Sequence, residues 1–187
     1  MPNFTRKAIK ASFMKLLNER PLNQVTIKDI VEDCGINRNS FYYHFADLPA
    51  LIEEIIKEDI DRIIQDHPTI DSFEECLDVA IAFGLQNKRA AYHIYNSINR
   101  DILERYLLKM CQYAVTKYID TMSSDMSIKE ENKALIIRYY KCECFGQIIE
   151  WMNNGMKDDI VEQFHRFCEF SKGMTADLLR RSMEVQS

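Results

Sequence analysis

Residues Thr26–Phe45 read TIKDIVEDCGINRNSFYYHF. Within them Ile27, Ile30, Val31 and Cys34 fall at i, i+3, i+4 and i+7, which lays one apolar stripe along a short helix. Thr26 followed by Asp29 marks its start. The hydroxyl can take a free backbone N–H of the first turn while the carboxylate reaches back to the threonine N–H. Gly35 follows the last apolar position, where a left-handed residue ends a helix at little cost to a glycine. Ile36 can plug the core, and Asn37 can cap a second helix whose apolar pair is Phe41 and Phe45. Two short helices joined by a tight glycine turn describe a helix-turn-helix.

The second helix points to function. At 100° per residue, Asn39, Ser40 and Tyr43 point away from Phe41 and Phe45. Arg38 and Tyr42 take one flank, Asn37 and His44 the other. This face offers hydrogen bonds to base edges and phosphates, and rings to lie along the sugar backbone. It carries no carboxylate, which a phosphate would repel. The bland alternative is a solvated helix in an ordinary bundle, and two aromatics on a solvent face argue against it.

The longer stretch TIKDIVEDCGINRNSFYYHFADLPALIEEI resembles the DNA-binding domain of the TetR family of one-component bacterial regulators. The resemblance covers roughly residues 5 to 60. It rests on Thr26, Ile30, Cys34-Gly35-Ile36, Phe41-Tyr42-Tyr43-His44-Phe45 and Leu51. CGINRNSFYYHF is similar to the branch that includes regulators of dihydroxyacetone kinase genes. The chain departs from the wider pattern twice. Leu48 stands where the family usually has a lysine touching phosphate, and Asn39-Ser40 replaces the frequent Gly-Thr, which implies an altered base preference. The candidate DNA contacts are Lys7, Lys10, Thr26, Lys28, Asn37, Arg38, Asn39, Ser40, Tyr42, Tyr43 and His44.

The composition fits this reading. Of 187 residues 47% are hydrophobic, ample for a core, and five glycines with four prolines leave little room for loops or strands. An all-α chain is expected. No apolar run approaches bilayer length, and MPNFTRKAIKAS lacks a signal-peptide core, so a cytoplasmic protein with no membrane partner is expected. The net charge of −5 divides unevenly. Residues 1–48 hold seven basic and five acidic side chains, net +2, and the rest hold 17 and 24, net −7. A basic head on an acidic body suits DNA contact at one end. Six cysteines include no CxxC pair. Cys142 and Cys144 diverge by about 200° on a helix and so cannot share a metal or a bridge. They read as small buried hydrophobes, and no metal or cofactor is implied.

Nine helices are expected in order. The first runs from about Phe4 to Asn18, with Ile9, Phe13, Leu16 and Leu17 inward and Arg6, Lys7 and Lys10 available to phosphate. After the helix-turn-helix, Asp47-Leu48-Pro49 opens a helix of about 30 Å to His67, just before Pro68. Asp71-Ser-Phe-Glu74 starts the next, ending before Gly84. A short helix follows at Arg89–Tyr95 and a longer one at Asp101–Met122. Ser127-Ile-Lys-Glu130 is a capping box for a helix to about Asn153, and Asp158-Asp159 opens a last helix to Leu178. The expected division is a three-helix DNA-binding domain at 1–48 and a helical ligand-binding and dimerisation domain at 49–187.

The helix ending near Asn153 is apolar on more than one side, so it needs a partner outside the chain as well as one inside. The resemblance implies that the last two helices pair with their copies in a four-helix bundle. The candidate dimer residues are Phe145, Gly146, Ile149, Trp151, Phe164 and Phe167. Phe83, Tyr92, His93, Tyr95, Tyr106, Tyr113 and Tyr139 are candidates for an unidentified small-molecule effector, because buried tyrosine hydroxyls need partners. The alternative for each is core packing. The reading is a homodimeric regulator on a palindromic operator. An adaptor of the same fold, controlled by a protein partner, is the alternative. An enzyme is not expected: His44, His67, His93 and His165 are scattered, without HExxH, phosphate loop or nucleophile elbow.

Overall fold

The computed structural model describes residues 2–157 and 159–184, with Phe83, Pro2 and Asn3 by backbone alone. Ten α-helices occur among them: α1 (Pro2–Glu19), α2 (Ile27–Cys34), α3 (Arg38–His44), α4 (Leu48–Asp66), α5 (Phe73–Gln86), α6 (Lys88–Tyr95), α7 (Arg100–Met122), α8 (Glu130–Asn153), α9 (Ile160–Phe170) and α10 (Met174–Glu184). A 3-10 turn at Leu22–Gln24 separates α1 from α2. The chain is all-α, as expected. None of these helices is long and apolar enough to cross a membrane.

The chain forms two compact units. The first comprises Met1–Asp61 and Phe83–Tyr106, the second Arg62–Ala82 and Leu107–Ser187. In the first unit Ile9, Phe13 and Leu17 of α1 are fully buried beside Ile30 of α2 and Phe41 of α3. The caps form as read. The Asp29 N–H donates to Thr26 Oγ1 (3.2 Å) and the Thr26 N–H to Asp29 Oδ2 (2.9 Å). Gly35 ends α2 at φ +66°, and the Ile36 N–H closes on the Val31 carbonyl at 2.9 Å, a wrap only a left-handed residue permits. Ion pairs Lys15–Asp33 (2.6 Å) and Arg20–Asp29 (3.1 Å) tie α2 to the α1 side. Asp47 caps α4 through the Ala50 N–H, with Pro49 harmless in the first turn.

Several element boundaries differ from expectation. The last expected helix is two, because Gly173 takes φ +85° and breaks it between α9 and α10, giving ten helices where nine were expected. Asp158, half of its expected start, lies outside the described residues, while Asp159 Oδ1 accepts the Glu162 N–H at 3.1 Å. Ser127 caps nothing: α8 starts three residues later at Glu130, where Glu130 and Glu131 complement the helix dipole directly. At α5 the hydroxyl cap is Ser72, which accepts the Glu75 N–H while Glu75 reaches back to the Asp71 N–H. The helix runs through Gly84 to Gln86.

The second unit is built around α8. Ile136, Tyr140, Cys144, Ile148, Trp151 and Met152 form its buried stripe. Phe73 centres an aromatic cluster with Tyr140 (4.8 Å between ring centres), Phe164 (5.1 Å) and Tyr118 (5.9 Å). The end of α10 is tied to the start of α8 by Asn132 Nδ2, which donates to the Ser182 carbonyl. Cys76, Cys111, Cys144 and Cys168 are buried free thiols here. Burial pushes Cys111 and Cys168 up to about 12, and Cys76 and Cys144 well above the ordinary thiol range. Cys142, by contrast, is exposed.

Candidate nucleic-acid interface

The helix α3 offers its outer face by elimination. Phe41 and Phe45 are buried and Phe41 stacks on the edge of Tyr42 at 5.7 Å, so the intervening residues must face outward. Tyr43 is 80% exposed, an unusual position for a large ring on a seven-residue helix. Arg38 and Asn39 are exposed as well. Three members of the expected contact set have other work. Asn37 Oδ1 accepts both the Ser40 N–H (2.8 Å) and the Ser40 hydroxyl (3.1 Å), so this pair fixes the start of α3. Thr26 is likewise engaged by Asp29, whose carboxyl is held below its ordinary range by those hydrogen bonds first and by Arg20 less.

The basic residues divide similarly. Lys28 is exposed and 3.7 Å from Glu32. Lys7 is exposed. Lys10 is not open: its side chain is 14% exposed and bridges Glu54 and Glu58 of α4, the latter at 2.6 Å. Arg6 also grips Glu54 with two N–H groups and lies 5.3 Å over the Phe45 ring. Sequence reading missed this clamp because it joins residues far apart along the chain. Of Arg6, Lys7 and Lys10, Lys7 is the one that stands exposed.

The clamp sets an acid dependence. The Arg6 hydrogen bonds chiefly, then Lys10, hold the Glu54 carboxyl at about 2 instead of 4.5. A depressed carboxylate contributes stability that is complete above pH 4.5 and lost as pH falls through about 2. Glu54→Gln is expected to cost at most about 3 kcal/mol at neutral pH, an upper bound because Arg6 is 43% exposed. In urea titrations the gap from the parent should close between pH 4.5 and 2. A gap independent of pH would refute the assignment.

The seven effector candidates are divided between the two units. Tyr92, His93, Tyr95 and Tyr106 belong to the first unit and Tyr113 and Tyr139 to the second, while the side chain of Phe83 lies outside the described residues. Most have structural partners. His93 Nδ1 lies 2.7 Å from the Leu17 carbonyl, one of the last of α1, and Arg100 donates to the Tyr95 hydroxyl at 2.5 Å. Tyr106 donates to Glu53 at 3.1 Å, and the Tyr113 hydroxyl serves the Ile64 and His67 carbonyls. Tyr139, though, borders a cavity of about 680 Å³ in the second unit, together with Phe73, Tyr118, Tyr140 and Thr175. The periodicity of Ile136, Tyr140, Cys144 and Ile148 was the signal that could have found Tyr140.

The dimer candidates divide by the same rule. Trp151 and Phe164 are buried inside their own chain, because both lie on inward stripes. Phe145 and Ile149 are half-buried, and Gly146 and Phe167 are exposed. The outer stripe of α8 runs Leu135, Tyr139, Cys142, Gly146 and Ile149. Phe170, Met174, Leu178 and Met183 add exposed apolar surface on α9 and α10.

Comparison with known proteins bears on both units. A family profile described as "Bacterial regulatory proteins, tetR family" matches residues 11–55, and one described as "Transcriptional regulator C-terminal region" matches residues 71–173, more than half of the chain. The dhaKLM operon transcriptional activator DhaS of Lactococcus lactis subsp. lactis (strain IL1403) is 23% identical over 137 residues, 72% of each chain. A helix-turn-helix regulator of Bacillus subtilis (strain 168), YxbF, is 29% identical over 58 residues, which is 31% of this chain and 15% of that protein. Among solved structures, a dihydroxyacetone kinase operon activator DhaS superposes with a TM-score of 0.71 at 19% identity, covering 98% of both chains. Salmonella enterica GusR superposes at 0.58 and 16% identity, covering 94% of this chain and 95% of its own. At these identities the superpositions speak for the fold.

Proposed function

We propose, from the premise that this chain belongs to the TetR family of bacterial transcriptional regulators, that it binds a palindromic operator as a homodimer and answers a small-molecule effector through its C-terminal domain. The functional division falls at residue 48, with 1–48 reading DNA and 49–187 serving effector and dimer. The observation that carries the reading is the outer face of α3, where Arg38, Asn39, Tyr42 and Tyr43 stand exposed on a helix whose opposite face is locked in the core. A dimer sets two such helices one turn of the duplex apart. An effector that prefers one packing of the C-terminal helices changes the spacing of the heads, and with it operator affinity.

The roles separate experimentally. Arg38→Ala and Asn39→Ala are expected to relax preference at a few symmetric positions of an operator selected from random duplexes, about 1–3 kcal/mol of discrimination each. Tyr42→Ala should weaken every sequence alike, as loss of a phosphate contact does. An unchanged selected sequence for both Arg38→Ala and Asn39→Ala would mean that another face reads the bases.

A further inference from the structure

We propose that the cavity of about 680 Å³ in the second unit binds a small organic cation with a flat, apolar body; this rests on the effector reading above and narrows it to a ligand class. The volume lies in the range of ordinary ligand sites. One wall is aromatic: Phe73 at the start of α5 lies 5.9 Å from Tyr118 of α7 and 4.8 Å from Tyr140 of α8 between ring centres. Ring faces are the negative ends of aromatic quadrupoles and attract cations. The wall also has a fixed polar point, since the Tyr140 hydroxyl and Thr175 Oγ1 lie 2.8 Å apart and buried.

The charges around the cavity supply the second, independent reason. Asp71, Glu74, Glu143 and Glu169 line it, against the single ammonium of Lys172. None of these four takes part in an ion pair among the described residues; Glu143 receives only the neutral amide of Gln147. An anionic ligand would meet net repulsion there, and a neutral one could donate hydrogen bonds to the carboxylates but would gain no charge attraction. A cation gains from both the rings and the acids, and an apolar body is needed to displace water from Phe73 and Met122.

The test uses two fluorescent probes on the full chain, cationic thioflavin T and anionic anilinonaphthalene sulfonate. Thioflavin T is expected to bind saturably, one per chain, and at least tenfold more tightly than the anionic probe. The double variant Glu74→Gln, Glu143→Gln should weaken it tenfold or more, with helical circular dichroism unchanged. If the variant loses its helical signal, competition on the unmodified protein decides. Phenethylamine should then displace thioflavin T at a tenfold lower concentration than 2-phenylethanol. Tighter binding of the anionic probe, indifference to the two glutamates, equal displacement by amine and alcohol, or no saturable site up to millimolar thioflavin T would each overturn the proposal. Gel shifts on a selected operator separate this result from the wider reading. A glutamate-dependent thioflavin T site that leaves operator affinity unchanged keeps the cation site and removes its effector role. Operator binding without any thioflavin T site overturns the ligand class and leaves DNA recognition standing.

Discussion

Gly146→Arg is expected to run as a monomer by light scattering, to keep its helical circular dichroism, and to bind a selected operator at least about a hundredfold more weakly. The reasoning begins with the fold's tolerance. A Cβ added at Gly146 would meet nothing within 4 Å, so the chain has room for the arginine and the variant should fold. In the proposed dimer, what objects is a second copy. Gly146 sits on the outer stripe of α8 between Cys142 and Ile149, and Phe170 of α9, 80% exposed, belongs to a series of uncovered apolar side chains there. A charged side chain placed where two such stripes meet would be buried without a partner, which is costly. The affinity loss follows from charge. A head of net +2 neutralises few phosphates. Two heads joined at fixed spacing gain because the second binds at high effective concentration. A Gly146→Arg protein that stays dimeric and binds normally would move the interface elsewhere.

Phe41→Ala should act on the other unit and by another route. Phe41 is fully buried where α1, α2 and α3 meet, with Phe45 5.8 Å away. Removing a ring from such a site loses its transfer free energy and leaves a cavity that close-packed helices fill poorly, a cost of about 3–5 kcal/mol. That is a large share of a small domain's stability. Urea unfolding should show the loss, amide exchange of α2 and α3 should approach that of free peptide, and operator binding should fail at every sequence. Tyr43→Ala is the control, since an exposed ring is worth within about 0.5 kcal/mol to the fold. If Phe41→Ala costs no more than Tyr43→Ala, the core lies elsewhere.

The helix-turn-helix was legible because its determinants are local. Thr26 with Asp29, Gly35 and Asn37 each act within four residues, so their types and spacing specify the geometry that is found. The second unit was less legible because its determinants are distances around a helix. Tyr139 and Tyr140 are adjacent in sequence and 100° apart in direction, so one lies on the outer stripe and the other in the core. Trp151 and Phe164 look like interface residues by type, yet their register with Tyr140 and Ile160 turns them inward. The Glu54 clamp could not be read at all, since nothing in α1 indicates which carboxylate of α4 will face it. Gly173, at φ +85°, is a local signal of the break between α9 and α10.

The thiols have a practical consequence. Thiolate is the form that attacks maleimides and disulfides. Cys76, Cys111, Cys144 and Cys168 are buried and held protonated, and Cys34 is half-buried with its thiol donating to the Ala8 carbonyl. Cys142 is thus the accessible handle on an otherwise silent set, and it sits on the same stripe as Gly146. Because the proposed dimer covers that stripe, slow maleimide labelling of Cys142 in the parent and fast labelling in Gly146→Arg would report the contact between two copies of α8.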